Sequence, residues 1–175
     1  MAIEKEVKYL INKIPSNVIE FSYFEQYYFE CITVEKDLLE LFNLNSLEGF
    51  NTKRIRLIRK NEITKYILTL KTSGLYEREE LEKEISKDLF LKFLNEPILS
   101  SVKKNRYFVP HDGFLFEFDE YLNLNSLLYT CEVEDFNLEN NKHKIEEILK
   151  YYFQVEFKDV TLDPKYKNSN ITKYF

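Results

Sequence analysis

Runs of this chain that read as strands carry their charges at every second position. Residues 3–10 (IEKEVKYL) set the pattern. Alternate side chains of an extended segment point to opposite faces, so Glu4, Glu6 and Lys8 share one face while Ile3, Lys5, Val7 and Tyr9 share the other. Single parities further on collect Arg54 and Arg56, then Lys71, then Arg78, Glu80, Glu82 and Glu84. Lys104 and Arg106, Glu117 and Asp119, and Glu132 and Glu134 continue the series. A sheet usually gives its charges to water, and cross-strand ion pairs then contribute about 0.2–1 kcal/mol each. That reading suffices for any one strand. It does not explain the purity of sign, because a surface kept for solubility intersperses its charges. Like charges at alternate positions repel and call for a guest of opposite sign. Carboxylate pairs suit a hard divalent cation. Cation pairs suit a polyanion whose oxygens match the forked donors of Arg. Both on one enclosed surface describe a metal–phosphate site.

The alternation predicts about eight strands in mostly antiparallel succession, at 3–10, 21–32, 53–60, 65–71, 75–85, 102–109, 114–121 and 127–134. Helices are expected over 33–47 with Thr33 as N-cap, over about 87–95 capped by Ser86 and closed by Pro97, and over 140–153. Residues 12–16 read as a turn or a short helix start, Asn61-Glu62 and Pro110-His111-Asp112-Gly113 as hairpin turns, and the tail 157–175 as mostly irregular. The expected class is α+β, an eight-stranded antiparallel β-barrel whose charged face turns inward to line a tunnel. Its helices pack outside on Ile55, Leu57, Leu68, Leu70, Leu81, Ile85, Phe116 and Phe118.

Composition narrows the function. The 175 residues suffice for one domain, and 13 Tyr and 15 Phe against 3 Gly favour strands over disorder. A net charge of −5 argues against a general nucleic-acid binder, which needs a phosphate-neutralising surplus. No apolar run approaches the roughly 20 residues that span a bilayer, and charge from Glu4 onward leaves no signal-peptide core. Cys31 and Cys131 lack metal-ligand spacing and are expected reduced, so a cytoplasmic location is the default. His111 and His143 have no partner at zinc or nucleophile spacing. No Gly-rich phosphate loop exists, and no Ser or Cys nucleophile has an identifiable base. The aromatic excess on the second strand is expected in packing rather than in base stacking.

The opening Glu4-x-Glu6-x-Lys8 resembles the signature start of the CYTH superfamily, the triphosphate tunnel metalloenzymes. The resemblance runs in order through Arg54-Ile-Arg56, Leu70-Lys71, 78–85, Lys104-Asn-Arg106-Tyr, Glu117-Phe-Asp119 and Glu132-Val-Glu134. The tail Asp163-Pro164-x-Tyr166-x-Asn168-Ser169 is similar to that of short bacterial members, so the whole chain 1–175 is covered as one domain. The resemblance implies a tunnel open at both ends that binds a triphosphate with Mg²⁺ or Mn²⁺. Carried over by position, Lys8, Arg54, Arg56, Lys71, Arg78, Lys104 and Arg106 would bind substrate. Glu4, Glu6 and Glu134 would hold the metal with Asp119 and Glu132 beside them, and Glu6, Lys8 and Glu132 would carry the catalysis. The expected activity is metal-dependent hydrolysis of tripolyphosphate, with nucleoside triphosphates as further candidates. A class IV adenylyl cyclase, a thiamine triphosphatase and a non-catalytic polyphosphate- or nucleotide-binding module remain alternatives. The implied partner is a small-molecule triphosphate, not nucleic acid or membrane, and the chain is expected as a monomer or homodimer. Two departures stand out. A helical insertion at 33–50 is expected at a tunnel mouth, and Glu25-Gln26-Tyr27-Tyr28-Phe29 lacks the acidic spacing of the cyclase and thiamine-triphosphatase branches.

Overall fold

A computed structural model of the chain describes residues 2–74 and 77–175, with the side chains of 2–4 outside the description. Its strands are β1 (Ala2–Ile11), β2 (Ser22–Phe29), β3 (Thr52–Lys60), β4 (Ile63–Lys71) and β5 (Glu77–Ile85), then β6 (Ile98–His111), β7 (Phe114–Tyr121), β8 (Tyr129–Glu134) and β9 (Phe157–Asp159). The antiparallel order β5-β4-β3-β2-β6-β7-β8-β1 closes when β1 pairs back onto β5, Ala2 opposite Glu80 and Lys5 opposite Glu77. This is the closed eight-stranded barrel. β9 is an addition along the edge that β1 keeps after β5 departs, with Tyr9 opposite Asp159.

The tight turns follow from residues that tolerate positive φ. Asn61 (φ 54°) turns β3 into β4, and Asp112 (φ 49°) with Gly113 (φ 86°) turns β6 into β7. The second turn is shorter than its sequence signal. Pro110 and His111 stay in the ladder opposite Leu115 and Phe114, so β6 runs to fourteen residues. Residues 12–16 form no helix.

The outward parity carries the cores. Ile55, Leu68, Leu70 and Ile85 pack under helix α1 (Glu35–Phe42, through Leu38) and α2 (Lys87–Leu94, through Phe90 and Phe93), with Leu57 and Leu81 at the margin. Val7, Tyr9, Phe116, Phe118 and the thiol Cys131 pack under α3 (Leu138–Glu147), through Leu138 and Ile145 and the π turn that follows it. Each fully buried Leu or Phe contributes roughly 1.5–3 kcal/mol, so the barrel is held from outside and its lumen is free for polar chemistry. Ser86 caps α2 by accepting from Leu89 N. Thr33 does not cap α1. The cap position is Val34, and the Thr33 hydroxyl and amide both donate to the buried Glu96, whose carboxylate ties this loop to the end of α2. Residues 33–50 lie on the outer wall through Leu38 and Phe50, and none lines the cavities described below.

The tail is more ordered than its composition predicts. After β9 it makes a 3-10 turn (Pro164–Tyr166) and a short helix α4 (Ile171–Tyr174). Val160 N donates to Lys8 O, and Ile171 is buried with Val102, Tyr121 and Leu128, so the segment between is held at both ends. Both cysteines are free thiols, and no described helix is long and apolar enough to cross a membrane.

Candidate active site

Because side chains alternate, every residue that flanks an outward core position points into the barrel. β1 contributes Glu6 and Lys8, and β8 sets Glu134 and Glu132 directly opposite them. Glu132 also faces Glu117 on β7, and Asp119 faces Arg106 on β6. β3 supplies Arg54 and Arg56, β4 supplies Thr69 and Lys71, and β5 supplies Arg78, Glu80 and Glu82. The inward expectation holds for these rows.

Two cavities occupy the lumen, one of about 470 Å³ and one of about 50 Å³. They share Glu6, Arg54, Lys71, Arg78, Glu132 and Asn168, so the two adjoin at that level. Arg56, Arg106, Glu117 and Glu134 belong to the larger chamber, and Lys8 to the smaller. Lys104 and Asp119 line neither. Both are fully buried, with Lys104 Nζ 2.5 Å from Asp119. The Glu4 side chain lies outside the described residues, as does the start of the expected strand at Leu75.

The inner charges are knitted together. Lys8 Nζ donates to Glu132 at 2.7 Å, Arg78 to Glu6 at 3.0 Å and Arg56 to Glu82 at 2.7 Å, while Lys71 pairs with Glu80. Arg106 is the hub. Its Nε and Nη2 grip Asp119 at 2.6 Å each, and further contacts reach Glu117 and Glu132. Asp119 therefore has both oxygens engaged and acts from beneath the lumen wall. Burial alone would raise Glu132, but Lys8, Arg106 and Lys104 overcome it and hold the carboxyl well below its usual range. Burial, reinforced by Arg106, pushes Lys104 down to about 8 even against Asp119. Burial and then Arg54 push Arg56 down to about 10. The Arg56 Nε is buried with no hydrogen-bond partner among the described residues. Such a donor is costly unless an acceptor arrives.

Several lumen residues carry no charge pattern to betray them. Gln26 and Tyr28 face inward from β2, with Tyr28 donating to Gln26 at 3.3 Å. Asn168 lines both chambers: its Oδ1 accepts from Tyr121 at 2.7 Å and Lys8 at 3.3 Å, and its Nδ2 donates to Glu132 at 3.4 Å. The period of β2 would have found the first two once its neighbours were known to face inward. Asn168 belongs to the tail stretch 163–169 that the resemblance picks out, but no charge or strand period there points it into the lumen.

Among the described residues, no group of three or more His, Cys, Asp or Glu side chains is gathered to hold a metal ion alone. Mg²⁺ does not require one, since it is usually held by one or two carboxylates together with waters and substrate phosphates. Glu6 and Glu134, opposite each other and both facing the larger chamber, fit that donor chemistry.

Solved structures share the fold of this closed antiparallel barrel over nearly the whole chain. The inorganic triphosphatase NE1496 superposes with a TM-score of 0.58 at 24% identity, covering 100% of this chain and 97% of that one. The PH1819 protein of Pyrococcus horikoshii OT3 gives 0.61 at 22%, covering 89% and 93%. HpAC1 from Hippeastrum, named as an adenylyl cyclase and said to have a dominant triphosphatase activity, gives 0.57 at 17%, covering 89% and 90%. No family model and no curated protein matches the sequence. The chain has the fold of these structures, which support the CYTH resemblance carried by its motifs.

Proposed function

We propose that this chain is a metal-dependent triphosphatase that cleaves inorganic tripolyphosphate to pyrophosphate and phosphate. One observation carries the reading. The larger chamber sets Arg54, Arg56, Lys71, Arg78 and Arg106 against Glu6, Glu117, Glu132 and Glu134 inside a closed wall. Phosphoryl transfer asks little covalent chemistry of a protein. It asks for position and for cancellation of charge on the transferring oxygens.

The arginine forks take non-bridging oxygens two at a time, and the unpartnered Arg56 Nε gains its acceptor from the substrate. Glu6 and Glu134 would hold Mg²⁺ or Mn²⁺. Bound there, the cation supplies charge neutralisation and a lowered pKa for water. Glu132, kept ionised by Lys8 and Arg106, takes the proton of the attacking water. That water's oxygen bonds to phosphorus as the anhydride bond breaks. Lys8, tied to Glu132 and Asn168, stays charged beside the departing phosphate.

A second observation favours organic triphosphates as well. At the end where β3, β6 and β8 finish, the inward rows turn apolar: Arg54-Arg56 gives way to Ile58, Lys104-Arg106 to Phe108, and Glu132-Glu134 to Phe136. Phe24 completes this collar 6.1 Å from Phe108. A base or thiamine ring would rest there with its phosphates deeper.

The test is phosphate release from tripolyphosphate, ATP and thiamine triphosphate with Mg²⁺ or Mn²⁺, with cyclic AMP followed in the ATP arm. Turnover of tripolyphosphate is expected. Cyclic AMP as the main product, or no phosphate from any substrate, overturns the reading.

A further inference from the structure

The two chambers differ in charge. The smaller is lined by Lys8, Arg54, Lys71, Arg78 and Lys167. Against these five cations stand three carboxylates, Glu6, Glu132 and Asp163. In the larger chamber Arg56 and Arg106 stand in place of Lys8 and Lys167, so the cations remain five, while Glu80, Glu82, Glu117 and Glu134 join and Asp163 drops out, so six carboxylates face them. The cation-rich chamber is at the barrel end opposite the apolar collar, where the C-terminal segment forms the wall.

Lys167 is the member that no strand supplies. It follows the 3-10 turn whose start Asp163 caps by accepting from Lys165 N. Behind it, Asn170 N and Ile171 N both donate to Lys167 O, and Ile171 anchors the segment in the apolar cluster with Val102 and Tyr121. The backbone of Lys167 is thus fixed while its side chain reaches inward. Its Nζ lies 3.4 Å from Gly74 O, a single long contact among the described residues for a group with three donors. Burial first, then Arg78 and Lys71, pull its pKa down against the opposing effect of Glu6. At about 50 Å³, the chamber has room for roughly three or four waters. A single tetrahedral oxyanion fits; a chain does not.

We propose that the smaller chamber seats one terminal phosphoryl group of the substrate and that Lys167 is a binding residue of that seat, with Lys71 and Arg78 beside it. The inference rests on the reading of the lumen as a triphosphate site and adds direction to it. The substrate binds end-on, its terminal phosphate toward the C-terminal segment and the remainder toward the larger chamber, with its more even charge, and the collar.

The experiment compares wild type with Lys167→Met and, as control, Lys165→Met, an exposed lysine on the same turn. With tripolyphosphate and Mg²⁺ or Mn²⁺, Lys167→Met is expected to raise KM at least tenfold with kcat within about threefold. Product inhibition by inorganic phosphate should weaken in parallel, and Lys165→Met should change neither. An unchanged KM and unchanged phosphate inhibition in Lys167→Met overturn the seat while leaving the triphosphatase reading intact. If wild type turns over nothing, that reading fails by itself. The seat is then judged by calorimetric titration of metal-free protein with tripolyphosphate: tenfold weaker binding by Lys167→Met upholds it, and equal affinity or no binding by wild type overturns it.

Discussion

Replacing Glu132 and Glu134 separately by Gln should distinguish a buried carboxylate that braces the lumen as well as serving the chemistry from an exposed one whose main part is toward a ligand. Glu132 is 4% exposed. It accepts from Lys8 at 2.7 Å and from Arg106, which are themselves 5% and 6% exposed. Removing its charge strands two buried cations. Breaking a buried pair by deleting one partner costs about 3–5 kcal/mol. The remaining amide oxygen still accepts, and Asn168, Tyr121 and Glu6 still face Lys8, so the low end, about 3 kcal/mol, is expected. For a chain of this length that corresponds to a fall in Tm of roughly 6–12 °C. Glu134 is exposed in the larger chamber, and Glu134→Gln should stay within about 1 kcal/mol of wild type while turnover falls at least a hundredfold. Urea unfolding of metal-free protein, followed by phosphate release from the folded variants, measures both. If Glu132→Gln is as stable as wild type, or Glu134→Gln loses as much as Glu132→Gln, the claim that Glu132 braces the lumen and Glu134 does not is wrong.

The collar makes a substrate-selective prediction. Phe108→Ala should raise KM for ATP or thiamine triphosphate about five- to tenfold, the value of one aromatic contact, and leave tripolyphosphate within twofold. Equal effects on all three would make Phe108 a packing residue. Lys104 predicts a pH dependence of stability. Its folded pKa of about 8 lies below the ordinary 10.5, so between those values the unfolded chain binds more protons and stability rises with pH. From pH 8 to 10 the gain should be about 2 kcal/mol, read as the urea-unfolding difference between wild type and Lys104→Met with metal chelated. A difference that stays flat or falls over that interval refutes the buried-cation account.

Which side of each strand faces the lumen was legible in the chain, because alternation is a local property of extended backbone. Arg54, Arg56, Lys71, Glu132 and their outward neighbours Ile55, Leu68 and Phe116 all fall on the faces that their spacing predicts. Ser86 as a cap and Asn61 and Asp112-Gly113 as turns are local in the same sense. Tertiary structure alone decided depth and company. Lys104 and Arg54 look alike as members of cationic rows, yet Lys104 is sealed under the wall against Asp119 while Arg54 borders both chambers. The difference depends on where neighbouring strands begin, and no strand encodes that for another. Closure of β1 onto β5, and the delivery of Lys167 and Asn168 by a tail packed through Ile171, join residues far apart in the chain. Parity is dictated by each residue's own backbone. Burial and partnership depend on surfaces that exist only after the barrel has closed.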